Sequence, residues 1–145
     1  MNRDLTIDDL RGLLDEPHLA TLATIRQDGS VLLSPIWFAW EDGGFTLALG
    51  SHDIKLTHIT REPRVTIAVA GREFPYRGFE LRGTARVADV PYGPTIRRIA
   101  ARYVGASASS FYADDRGGTV IRVEGDRIRA WDFADDLTAM GVYTA

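Results

Sequence analysis

The chain has 145 residues, a formal net charge of −3 and a sequence pI near 5.6, with 45% hydrophobic and 26% charged residues. This composition is typical of an ordinary globular domain, and its slightly negative charge argues against bulk attraction to nucleic acid. No apolar run approaches the roughly 20 residues of a membrane-spanning helix, and the absence of cysteine excludes disulfides and thiol catalysis. The N-terminus lacks the apolar block of a signal peptide. We therefore expect a single domain over residues 1–145, located in the cytoplasm.

Residues 5–10 (LTIDDL) predict the start of a short helix. Thr6 is a suitable N-cap, and Asp8 and Asp9 are favoured in a first turn by the helix dipole. Pro17 disfavours helical geometry in the residue before it, so the helix should end there. We expect this helix to serve packing.

Three strands joined by tight turns are predicted next. Interleaved apolar residues and an Asp-Gly hairpin signal indicate strands over residues 18–26, 31–40 and 45–49. The second, VLLSPIWFAW, is apolar on both faces, so it should be buried on both sides or line a ligand site. Proline cannot donate to a ladder, so this strand should be irregular near Ser34-Pro35.

The second half of the chain predicts further strands around one amphipathic helix. Strands are expected over residues 64–70 and 79–87, with Gly83 as a bulge or a point of close approach. A helix starting near Pro94 presents Ile96, Ile99, Ala100 and Tyr103 on one face, and Arg97, Arg98 and Arg102 are expected to form a solvated face. Strands over residues 119–123 and 127–133, joined by a turn at Gly125-Asp126, are followed by an acidic tail.

The overall pattern is mainly β: six or seven antiparallel strands with about three short helices. Short strands with tight turns favour a closed or partly closed barrel, because closure removes exposed sheet edges.

The segment from Ala48 to Val65 is the best candidate for a binding site. It predicts a strand end, a small-residue turn and a short helix that Ser51 or Asp53 can cap. Lys55, the only lysine in the chain, falls in the first turn, where the helix dipole mildly disfavours a cation. Free N–H groups, the Ser51 hydroxyl and one ammonium can bind a phosphate. The alternative is a solvated lysine on an ordinary connecting helix.

Other kinds of site are poorly supported. The sequence has no G-x-x-x-x-G-K-[ST], G-x-G-x-x-G or G-x-S-x-G motif. His18, His52 and His58 lack metal-ligand spacing, so no metal is expected. The carboxylate pairs Asp114-Asp115 and Asp135-Asp136 are expected to be solvated. We assign no catalytic residue; an enzyme of this kind would depend on a cofactor for its reactive chemistry.

The order of these pieces resembles the split β-barrel family that includes pyridoxamine 5′-phosphate oxidase-like proteins and the flavin/deazaflavin oxidoreductases. The resemblance covers nearly the whole chain and rests on three segments: HLATLATIRQDGSVLLSPIWFAW, KLTHITREPRV and GFELRGTARV. The closing RIRAWDF resembles the ending of members that use coenzyme F420.

This resemblance implies a homodimer with two equivalent cofactor sites at the subunit interface. The phosphate would lie near Lys55 and Ser51, with His58 as a donor where many members have Asn. The flat ring would lie along the second strand, by Ser34, Pro35, Ile36 and Trp37. Reduced cofactor would pass a hydride to a small-molecule substrate. The candidates for binding the acidic tail of F420 are Arg61, Arg72 and Arg77.

Two departures from the family pattern affect the expected chemistry. Asp53 stands where many members have a second basic residue, and it would repel a phosphate unless it caps the helix. Trp131-Asp132-Phe133 replaces the arginine-rich substrate motif of true pyridoxamine phosphate oxidases, which disfavours vitamin B6 oxidation. Three hypotheses stay open: an F420-dependent reductase, an FMN-binding oxidoreductase, and a non-catalytic flavin or deazaflavin carrier or sensor.

Overall fold

The computed structural model describes residues 5–109 and 117–142. Within them the chain forms seven β-strands: β1 (Ala20–Ile25), β2 (Val31–Ile36), β3 (Ala39–Glu41), β4 (Gly44–Gly50), β5 (Arg64–Ala70), β6 (Arg77–Val87) and β7 (Gly118–Asp132). The helices there are α1 (Ile54–Arg61), α2 (Tyr92–Val104), the single turn α3 (Ala106–Ser109) and α4 (Phe133–Ala139). None of the helices in these ranges is long and apolar enough to cross a membrane.

All seven strands belong to one curled antiparallel sheet, in the order β2-β1-β5-β6-β7-β4-β3. The predicted mainly β class and split-barrel architecture are confirmed, as is the number of strands. The order brings β7, the last strand, between β6 and β4. It leaves β2 and β3 as the two edges of the sheet.

Buried apolar side chains from the strands, α1 and the N-terminal turns form a single cluster among the described residues. Its centre is aromatic. Phe45 lies edge-on to Phe38 and Trp40, with ring centroids 5.2 and 4.9 Å apart, and Trp40 meets Phe79 at 5.5 Å. These large buried rings supply much of the apolar burial that stabilises a sheet of short strands.

The prediction of a helix near the N-terminus is wrong. The chain forms two 3-10 turns instead, Asp8–Leu10 and Leu13–Asp15. Between them Arg11 (φ 53°) and Gly12 (φ 78°) adopt left-handed backbone conformations, which cannot continue a right-handed helix. Thr6 does not cap through its oxygen; its N–H and hydroxyl both donate to the Asp9 carboxylate.

The second predicted strand divides into β2 and β3, and the break falls after Pro35, at Trp37-Phe38. Pro35 itself pairs with Thr21 on an edge strand, where its missing N–H costs no ladder bond. The prediction that this segment is buried on both sides is wrong for β2, because Val31 and Leu33 expose 51% and 64% of their surface.

The predicted turn at Gly125-Asp126 is also wrong, because β7 runs through it without reversing. The expected bulge at Gly83 is confirmed by a register shift between Arg82 and Thr84. A Cβ at Gly83 would lie 2.0 Å from the Glu124 carbonyl oxygen. Gly83 and Gly125 therefore let two backbones approach closely. The expected acidic tail begins as helix α4, capped by the Asp132 carboxylate.

Candidate cofactor cleft

Lys55 is held in place by the residue that caps its own helix. The Asp53 Oδ1 atom accepts a hydrogen bond from the Lys55 backbone N–H at 2.9 Å, which caps α1. The Asp53 Oδ2 atom lies 2.9 Å from Lys55 Nζ, and the lysine side chain is only 14% exposed. Of the two candidate caps, the structure selects Asp53 over Ser51. The alternative of a freely solvated lysine is therefore wrong.

The Lys55 cleft, as we call it here, is a cavity of about 360 Å³ beside this ion pair. It opens between α1, α2 and the end of β2. Its lining is apolar apart from the Asp53–Lys55 pair: Leu19, Pro35, Ile36, Trp37, Ala48, Leu49, Ile96 and Ile99. The structure thus brings Lys55 together with three of the four residues expected along the ring, Pro35, Ile36 and Trp37.

Trp37 forms a fixed flat wall of the Lys55 cleft. Its ring stacks on Tyr103 of α2, with centroids 4.9 Å apart and planes inclined by only 6°. The Tyr103 hydroxyl accepts from the Phe38 N–H at 3.1 Å and donates to the His18 carbonyl at 2.8 Å. Burial raises the pKa of Tyr103, so the neutral, donating form is retained. The tyrosine thereby fixes the chain at the break between β2 and β3.

Two arginines of α2 anchor that helix over the cleft; the expectation of a solvated face is wrong for the part-buried Arg102, whereas Arg98 is exposed as expected. Arg102 donates to the carbonyls of Phe38, Leu14 and Glu16. Arg98 makes a two-pronged contact with Glu41, at 2.8 and 2.9 Å. Hydrogen bonds to charged groups are stronger than neutral ones, so these contacts hold Ile96 and Ile99 against the cleft.

Two residues predicted near the phosphate, His58 and Ser51, and one predicted along the ring, Ser34, do not line the Lys55 cleft. His58 is buried, and its Nδ1 lies 2.9 Å from the Thr24 hydroxyl of β1. Ser51 is exposed in the turn before α1, and Ser34 is half-buried on β2 opposite Leu22. His58 therefore has a packing partner on the sheet, and its predicted role as a cofactor donor gains no geometric support.

Arg72 and Arg77 border a second cavity of about 490 Å³, together with Arg11 and the exposed Phe74. Arg77 donates to the carbonyls of Leu10 and Arg11 and forms an ion pair with Glu16. Burial would raise the pKa of Glu16, but hydrogen bonds and positive charge from Arg77 and His18 hold it below its ordinary value. Arg77 thus stabilises the fold, whereas Arg72 forms no hydrogen bond or ion pair with another of the described residues.

Arg61 does not join Arg72 and Arg77. It lies at the C-terminal end of α1 and donates to the Ile25 carbonyl at the far end of β1. The second cavity and the Lys55 cleft share no lining residue, although His18 lines the former and its neighbour in sequence, Leu19, lines the latter.

Sequence reasoning missed Leu19, Leu49, Ile96, Ile99 and Tyr103 as residues of the site. The sequence predicted Ile96, Ile99 and Tyr103 on one face of α2, but this spacing is typical of any helix that packs on a core. Only the packing of α2 against the break after β2 turns that face into a cavity wall. Among the described residues no group of three His, Asp or Glu side chains is arranged to hold a metal ion.

Comparison with solved structures places this fold among known split barrels. The conserved hypothetical protein Rv2991 from Mycobacterium tuberculosis aligns with a TM-score of 0.75 and 22% identity, covering 97% of this chain and 91% of that one. A structure described as an F420 reductase aligns with a TM-score of 0.67 and 27% identity, covering 81% and 94%. HutZ, a haem storage protein from Vibrio cholerae, aligns at 0.65 and 11% identity, covering 87% and 93%.

The fold is therefore shared by proteins that are described as having different functions. No curated protein sequence matches the chain at a significant level. A family model described as pyridoxamine 5′-phosphate oxidase matches residues 6–132, which includes every strand of the sheet and the whole Lys55 cleft. This chain belongs to the pyridoxamine 5′-phosphate oxidase family of split β-barrels.

Proposed function

We propose that this protein is an F420-dependent reductase that transfers a hydride to a small organic substrate. The observation that carries the proposal is the Lys55 cleft itself, in which an ammonium and a flat aromatic wall face one apolar cavity. Two comparisons support it: the family includes oxidoreductases, and the structure described as an F420 reductase is 27% identical over 81% of this chain.

The residues present fit the ring of a flavin or deazaflavin. Trp37 offers a plane fixed by its stack on Tyr103, and Pro35 and Ile36 lie at the end of an edge strand beside it. Flat ligands are typically held by such apolar walls with a few polar groups at the rim. The fit to a phosphate is partial, because Lys55 is already paired with Asp53.

When bound, the cofactor would supply the hydride chemistry that the protein's own side chains lack. The protein would bind and orient it: Trp37 and Ile36 contact the ring, Lys55 attracts the phosphate, and Ile96 and Ile99 exclude water. We propose Arg72 as a contact for the acidic tail of F420, because it borders a cavity lined by His18, whose neighbour in sequence, Leu19, lines the Lys55 cleft. Arg61 is not included in this proposal, because its side chain donates to the Ile25 carbonyl.

We further propose that the protein acts as a cytoplasmic homodimer with a cofactor site at each side of the interface. Support comes from β2, an edge strand with exposed Val31 and Leu33 beside the exposed Pro35. Apolar side chains on an unpaired edge strand favour contact with another chain. Sedimentation equilibrium tests this directly: a mass of two chains is expected, and a monomer at micromolar concentration contradicts it.

The alternatives differ in cofactor and in chemistry. An FMN-binding oxidoreductase would use the same ring site without needing Arg72. A carrier or sensor is favoured by one observation: among the described residues, the only titratable side chains lining the cleft are Lys55 and Asp53, and these two are paired with each other.

Turnover separates these possibilities. Purified protein is mixed with reduced F420 and a panel of enones, quinones and tetrapyrroles, and the return of oxidised-cofactor fluorescence is followed. Acceptor-dependent oxidation at least tenfold above the rate without protein is expected from a reductase. The same assay with reduced FMN tests the second hypothesis. Tight binding without acceptor-dependent oxidation across the panel contradicts the reductase and favours a carrier.

A further inference from the structure

We infer that Asp53 competes internally with the phosphate of the ligand for Lys55, and so sets how strongly the Lys55 cleft binds anionic rather than neutral ligands. The inference rests on the proposed function, because it assumes that a ring compound enters the cleft. It assigns Asp53 as a residue that determines specificity.

The Asp53 carboxylate is fixed by two separate contacts with one residue. Oδ1 accepts from the backbone N–H of Lys55, and Oδ2 lies 2.9 Å from Lys55 Nζ. The cap contact is made by the backbone, so it persists whatever the lysine ammonium binds. A ligand phosphate that took the place of Oδ2 at Nζ would therefore remain beside a carboxylate that its cap holds in position.

The electrostatic consequence follows from the lining of the cleft. Asp53 and Lys55 are its only charged residues, so its formal charge is zero. The Asp53 and Lys55 side chains are only 25% and 14% exposed, and apolar walls surround them, so solvent screens them less than it would an exposed pair. Because Nζ and Oδ2 are only 2.9 Å apart, repulsion of a phosphate by Asp53 would offset much of its attraction by Lys55.

The test uses two variants that keep the cap and one matched control. Asp53→Asn retains a side-chain oxygen that caps as well as aspartate does, and it removes the negative charge. Asp53→Ser is a second variant with a shorter capping oxygen. Glu62→Gln removes the same charge from the other end of α1, where Glu62 pairs with Arg64. Eight α-helical residues separate the ends by about 12 Å.

Each protein is titrated with FMN and with riboflavin, which share a ring and differ in the phosphate. In the unaltered protein the two dissociation constants should agree within about threefold, because the two charges largely offset each other. Asp53→Asn should raise the preference for FMN over riboflavin at least tenfold, or about 1.4 kcal/mol, and leave riboflavin affinity unchanged. The preference for FMN over riboflavin should change in the same direction in Asp53→Ser. In Glu62→Gln this preference should equal that of the unaltered protein.

A change in preference below tenfold in both Asp53 variants, or the same change in Glu62→Gln, overturns the inference. If no ring compound binds to any of the proteins, the proposed function fails, and a second readout decides the inference. Because Lys55 is the only lysine, lysine-labelled protein gives a single side-chain ammonium signal. A pyrophosphate-induced shift of that signal in Asp53→Asn that is absent in the unaltered protein supports the inference. No shift in Asp53→Asn overturns it.

Discussion

At the scale of single residues, Asp53 is central to the site, because it caps the helix that carries Lys55 and also pairs with the Lys55 ammonium. A cap at Ser51 or Asp53 could be predicted, because a cap is a local contact and depends only on a short side-chain oxygen. The burial of His58 could not, because its partner Thr24 lies 34 residues earlier and meets it only once α1 packs on β1. The ion pair at Lys55 lay between these cases: its partners are only two residues apart, but two side-chain rotamers had to agree.

Lys55→Ala should weaken the binding of FMN and F420 at least tenfold, or about 1.4 kcal/mol, and leave riboflavin affinity within threefold. The change removes the attraction and leaves the Asp53 charge unpaired beside the phosphate. Alanine is the best helix former, so α1 and the melting temperature should be retained. Ring fluorescence titration measures the affinities. Arg64→Ala, at a side chain that is 76% exposed, is the matched control for lost positive charge. Equal affinity of Lys55→Ala and the unaltered protein for FMN would show that Lys55 has no part in binding.

At the scale of elements, strand periodicity predicted where strands lie but not how they are joined. Gly125-Asp126 has the composition of a turn, yet β6 pairs with β7 on both sides of it. The glycine serves another purpose, since a Cβ there would lie 2.5 Å from the Arg82 carbonyl oxygen. The residue type alone does not show whether a glycine forms a turn or allows two backbones to approach closely. Only the pairing partner distinguishes them, and for β7 that partner is β6, some 40 residues away.

Gly83→Ala should lower the free energy of unfolding by about 1–3 kcal/mol, because the new Cβ would overlap the Glu124 carbonyl oxygen at 2.0 Å and force β6 and β7 apart. Urea denaturation followed by tryptophan fluorescence measures the change. Gly50→Ala is the control: it lies at the end of β4, and a Cβ there meets nothing within 4 Å. Equal stability of the two variants would mean that the bulge tolerates a side chain.

At the scale of the whole molecule, the antiparallel β class followed from alternation and turns, whereas the strand order did not. Insertion of β7 between β6 and β4 depends on contacts among distant segments, and it was not predicted from the sequence. The apolar character of residues 31–40 was interpreted as burial on both sides or as the lining of a ligand site. Val31 and Leu33 of β2 lie exposed on an edge strand instead, whereas Pro35, Ile36 and Trp37 line the Lys55 cleft.

The account depends most on the claim that the Lys55 cleft binds a deazaflavin or flavin. The most direct test is an equilibrium titration of the purified protein with F420 and with FMN, following ring fluorescence at physiological salt. We predict saturable binding of one cofactor per chain, tighter for F420 than for FMN because Arg72 adds a contact to the acidic tail. Tighter binding of FMN would favour the second hypothesis. Comparable failure of both cofactors to bind would contradict the account.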